Sequence, residues 1–128
     1  MRSLFLKWTL ESQEISCEKI KYLLGIDVSD SWSIGGKIAK SLLVHEANGV
    51  KIETRFDGNF NQEESLRDFV GNYEELVSLA IKKEPSIKAL LSVVVYSDDR
   101  SGIFLERDII KRIAETASGF DYDFYPLN

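Results

Sequence analysis

The run Ile87-Lys88-Ala89-Leu90-Leu91-Ser92-Val93-Val94-Val95-Tyr96 constrains this chain more than any other stretch. It is almost unbroken in apolar and β-branched residues, and it is bounded by Pro85 and by Asp98-Asp99. A run this short and this rich in valine predicts a strand buried on both faces, because alternation disappears when neither face meets water. The other candidate strands alternate. The run therefore belongs in the middle of a sheet.

Upstream, Leu4, Leu6, Trp8 and Leu10 alternate with Ser3, Lys7, Thr9 and Glu11, which predicts a half-buried strand with Phe5 out of pattern. Ser16 suits the cap of a short helix with Glu18 in its first turn, Ile20, Leu23 and Leu24 as its apolar stripe and Gly25 at its stop. Residues 26–36 are loop by composition, with Trp32 as a lid over the core. Asn48-Gly49 is a favoured two-residue hairpin turn. It predicts strands over 37–47 and 50–56, with His45 facing Ile52 on the core side and Leu42 and Val44 on the open face. Leu66, Phe69, Val70, Tyr73, Leu76, Val77 and Ala80 recur at helical spacing over 62–82. A turn at 98–102, a short extended piece at 103–105, a helix over 106–117 burying Ile109, Ile110, Ile113 and Ala114, and an alternating strand over 120–125 complete the chain.

The order β-α-β-β-α-β-α-β predicts an α+β fold. It is a two-layer sandwich in which three helices cover one face of a mostly antiparallel sheet of about five strands. With 128 residues there is room for a single domain over 1–128. The lone cysteine, Cys17, has no internal disulfide partner. The opening Met1 to Trp8 starts like a signal peptide, but Lys7, Glu11 and Glu14 interrupt it, and no apolar run approaches a membrane span. The expectation is a cytoplasmic protein.

The formal charge is −5, which disfavours direct contact with nucleic acid. Residues 57–75 hold Asp57, Glu63, Glu64, Asp68, Glu74 and Glu75 against Arg67 alone, so this segment carries the whole net charge. A concentrated acidic face speeds encounter with a basic partner.

Catalytic chemistry finds little support. His45 and Cys17 are the only residues of their kinds, which excludes a structural zinc site and leaves no nucleophile with an evident base. Asp57, Asn59, Asn61, Ser65 and Asp68 echo a calcium loop, yet Gln62 stands where that loop requires glycine. Gly35-Gly36-Lys37 is followed by Ile38 rather than Ser or Thr, so a phosphate loop fails. The carboxylate pairs Asp98-Asp99 and Asp121/Asp123 have no apolar pocket to raise a pKa. No catalytic residue, metal or cofactor is expected.

Ile15, Ile20, Leu24-Gly25-Ile26, Ser29, Trp32 and Gly35, with the later block Gly102-Ile103-Phe104-Leu105-Glu106 through Ile109-Ile110 to the acidic-aromatic end strand, resemble domain of unknown function 4279. The pattern departs where no tryptophan follows Asn48-Gly49. The resemblance implies a small bacterial protein, in some cases an immunity protein against a toxin, and it supplies no catalytic residues.

The leading expectation is a non-enzymatic immunity protein that binds a cognate toxin, such as a nuclease. Asp57, Glu63, Glu64, Asp68, Glu74 and Glu75 would cover its basic cleft. The alternative is a homo-oligomeric ligand-binding or accessory module, a homodimer that uses Leu42 and Val44 on the open sheet face or a pocket under Trp32.

Overall fold

The computed structural model describes residues 2–99 and 102–127. Among them the elements run β1 (Ser3–Ser12), α1 (Cys17–Leu24), β2 (Asp30–Trp32), β3 (Asn48–Asp57), α2 (Gln62–Lys83), β4 (Lys88–Ser97), α3 (Arg107–Thr116) and β5 (Gly119–Pro126). The strands form one sheet in the order β2-β3-β1-β4-β5. Every neighbouring pair is antiparallel except β4 and β5. Those two run parallel because α3 carries the chain back across the sheet between them. The fold is α+β, as the element order predicts.

β1 holds the centre. Its even-numbered side chains Leu4, Leu6, Trp8 and Leu10 are fully buried, and Trp8 sits in register between Ile52 of β3 and Leu91 of β4. Burying each such side chain is worth about 1.5–3 kcal/mol. The same inward face takes Ala89, Leu91, Val93 and Val95 from β4, Val50 and Ile52 from β3, and Leu66, Phe69, Val70, Val77 and Ala80 from α2.

α1 starts and stops, and α2 starts, where their sequences say, while Gly119, expected to end α3, instead opens β5 after the Ala117 cap. Ser16 Oγ accepts from Lys19 N at 3.1 Å, and Gly25, at φ 69°, closes α1 in the left-handed region. Asn61 Oδ1 accepts from Glu64 N at 2.9 Å to open α2, with Glu63 and Glu64 in its first turn and Lys82 and Lys83 in its last.

Several expectations require correction, among them the loop over 26–36, which contains β2. β4 is interior but is neither central nor buried on both faces: Leu90 and Tyr96 are 38% and 37% exposed, since the helices pack only on the opposite side. Asn48-Gly49 is not a turn but the start of β3, paired with Ser12 and Glu11 of β1. Residues 33–47 instead form a small hairpin arm, closed by Gly35 N to His45 O, His45 N to Gly36 O and Ile38 N to Leu43 O, each at 2.9 Å. Leu42 and Val44 therefore lie on this arm rather than on the sheet, and His45 is not a core residue. In α3 only Ile109 and Ile113 are buried, while Ile110 and Ala114 face outward. Residues 103–105 are irregular. Of the turn expected at 98–102, Arg100 and Ser101 lie outside the described residues.

Candidate functional site

The acidic segment separates into two sets once α2 is folded. Asp57, at the end of β3, accepts from Ser3 Oγ at 2.7 Å and from Arg55 Nε at 2.9 Å. These contacts, the serine hydroxyl first, hold its carboxyl below the usual range. Glu63 Oε1 accepts from the Phe104 backbone N at 3.1 Å. Glu74 forms a two-pronged pair with Arg112 of α3, at 2.8 and 3.1 Å. The pairing is reciprocal: Arg67 of α2 grips Asp108 of α3 at 2.8 and 2.9 Å. That grip holds the Asp108 carboxyl down at about 2 and raises Arg67. Asp57, Glu63 and Glu74 thus have work inside the protein, and two of the pairs lock α3 onto α2.

Glu64, Asp68 and Glu75 form the second set. All are exposed, and none has an ion-pair partner among the described residues. At 100° per residue they fall with Gly71 within about 60° of one another on α2, about a quarter turn from the row that faces α3. Glu64 and Asp68 stand at i,i+4, where like charges repel. The stripe is solvated, and none of its three carboxylates is ion-paired among the described residues.

The sequence places Phe5 and one of the sets Leu90/Val94/Tyr96 or Leu91/Val93/Val95 on the outward face of the sheet, beside Leu42 and Val44. That face takes Phe5 and the Tyr96 set from this expectation and adds Tyr125. Tyr96 stacks on Tyr125 with centroids 5.0 Å apart, Phe5 meets Tyr96 edge-on at 5.8 Å, and the Arg55 guanidinium lies 5.0 Å over the Phe5 ring. Phe5 breaking the β1 pattern and the aromatic alternation of β5 were the available signals, but only strand register brings them together.

The arm is tied down at its base. Asn48 Oδ1 accepts from Ile34 N at 2.8 Å, and Asn48 Nδ2 donates to Ile15 O at 2.9 Å. Trp32 lies against Gly49 with the His45 ring stacked on it at 4.9 Å, so its underside is filled by backbone and holds no pocket. At the tip Leu42 and Leu43 are 97% and 68% exposed.

The remaining chemical candidates are dispersed. The Cys17 thiol is buried and donates to Glu18 Oε2 at 3.3 Å, while His45 contacts Trp32. Ser65 and Asp68 sit within α2, beyond the Asn61 cap and away from Asp57. Among the described residues no group of three or more His, Cys, Asp or Glu is placed to hold a metal ion, and no helix is long and apolar enough to cross a membrane. Asp121 and Asp123 project from β5 into solvent.

No curated protein and no solved structure matches the chain. One family model does, over residues 4–127. That match takes in every strand, helix and surface described above but for the first residue of β1, and the chain belongs to the family Domain of unknown function (DUF4279).

Proposed function

We propose that this chain is a non-enzymatic immunity protein, acting in the cytoplasm, that captures a protein toxin. Glu64, Asp68 and Glu75 would lie over a basic cleft in that toxin. One observation carries the reading: these three carboxylates share a single exposed stripe and are left without counter-charges, although arginines elsewhere on α2 and α3 neutralise their neighbours. A toxin that acts on nucleic acid must present positive charge to phosphate, and an array of carboxylates on a rigid helix mimics that phosphate charge. Asp57, Glu63 and Glu74 then serve to hold the scaffold rather than to touch the toxin.

The test is affinity for the toxic product of a neighbouring gene, measured across a salt series. The triple variant Glu64→Lys/Asp68→Lys/Glu75→Lys is expected to lose affinity by two orders of magnitude or more and to lose its steep salt dependence. An affinity and salt slope equal to the wild type would remove the reading.

A further inference from the structure

From β5 across to β3, the rows of the open sheet face read Tyr125–Tyr96–Ser3–Asp57, then Asp123–Val94–Phe5–Arg55, then Asp121–Ser92–Lys7–Glu53. Tyr96 and Tyr125 sit on adjacent strands, which run about 4.8 Å apart. Their rings stack at 5.0 Å and 18°, so they stand upright on the sheet and cover each other's faces. Arg55 covers a face of Phe5. A nucleobase stacks on a free ring face, and these rings turn outward mostly edges and hydroxyls. Such a surface suits a second layer of side chains, as in the packing of sheet on sheet.

We propose that this layer is a second copy of the chain, docked face to face about a two-fold axis running along the strands between β1 and β4. That operation exchanges β4 with β1 and β5 with β3. Asp123 then meets Arg55 of the second copy, Val94 meets Phe5, Tyr125 presents its hydroxyl to Asp57, and Tyr96 meets Ser3. Each contact occurs twice, as an isologous interface requires. The third row sets Ser92 against Lys7 and Asp121 against Glu53. The second of these is a mismatch, eased by Lys51, which stands 3.1 Å from Glu53.

Area points to the remaining element. Four strands and about eight residues of length give a flat face of roughly 500 Å² per copy, while a stable dimer buries about 1,200–2,000 Å² in total. The hairpin arm supplies the difference. Gly49 pairs with Glu11 and with Trp32, so it faces the open side; the indole of Trp32 lies over it there, and His45 stacks on that indole. The arm thus rises beside the face and carries Leu42 and Leu43 into solvent. This surface lies on the opposite side of the sheet from α2, so the inference stands independently of toxin capture.

Sedimentation of the full-length chain tests it. The wild type is expected to run at twice its chain mass at high concentration. Asp123→Arg and Arg55→Asp should each weaken association about a hundredfold, since each contact is lost twice. The combined variant should restore the dimer, and Leu42→Ser/Leu43→Ser should weaken it without altering the thermal melt at concentrations where both chains are monomeric. Should Arg55→Asp disturb folding through Asp57, Asp123→Arg alone decides. A wild type that stays monomeric at every concentration overturns the proposal, as does a dimer indifferent to Asp123→Arg.

Discussion

The indole of Trp32 lies so close to Gly49 that a Cβ at position 49 would come within 2.5 Å of ring atoms Cε2 and Cζ2. Glycine is present there because no side chain fits between the ring and the strand. The contact also roots the hairpin arm, since the return segment of the arm stacks His45 on the same indole.

Gly49→Ala must therefore displace the indole or bend β3. The expected loss is about 1–3 kcal/mol of stability, the usual range for overpacking. Equilibrium urea unfolding checks it, and a loss below a few tenths would show the indole free to move aside.

Trp8 makes a contrasting case. Its ring is fully buried, yet Nε1 has no hydrogen-bond partner, and an unsatisfied buried donor costs about 1–3 kcal/mol. Trp8→Phe removes that donor while opening a small cavity, so the two effects oppose. Leu6→Ala leaves only a cavity and should cost about 2–5 kcal/mol. Chemical denaturation of both variants is expected to rank Trp8→Phe as the milder.

The Arg67–Asp108 pair predicts a dependence on pH. Asp108 is held at about 2 against an ordinary 3.8, chiefly by its hydrogen bonds from Arg67. A carboxyl depressed in the folded state contributes its full stabilisation above the ordinary value and loses it as pH falls through the folded one. Stability should therefore decline between pH 3.8 and about 2. Asp57 and Glu18, both also lowered, add to the decline. Asp108→Asn should flatten this limb in a pH series of thermal melts; an unchanged slope would assign the acid sensitivity elsewhere. The effect is small, because the pair is solvated.

Asp68→Lys should separate stability from recognition. It replaces the Glu64/Asp68 repulsion with an attractive i,i+4 pair, for a gain of a few tenths of a kcal/mol. Thermal melting should show a slight rise while toxin affinity falls. A loss of stability would mean that Asp68 has a structural partner.

Local signals read well where local physics decides. The alternation in β1 and β5, the Ser16 cap, the Gly25 stop and the apolar stripe of α2 all follow from spacing within a few residues, and they place these elements correctly. Asn48-Gly49 misleads because two demands share one signature: a tight turn wants glycine for its positive φ, whereas here glycine answers a contact with Trp32. The Val93-Val94-Val95 run misleads because an interior strand is rich in β-branched residues even when one of its faces is open. The acidic segment divides in a way no composition count reveals. Arg112 reaches Glu74 from 38 residues away, so only the packing of α3 on α2 decides which carboxylates are neutralised.

The most direct measurement of the proposed recognition is survival of cells that express a neighbouring gene's product, if that product is toxic on its own, together with this protein. The wild-type chain should protect, and Glu64→Lys/Asp68→Lys/Glu75→Lys should fail to protect while melting like the wild type. Equal protection by both would contradict the assignment of toxin binding to the exposed stripe of α2.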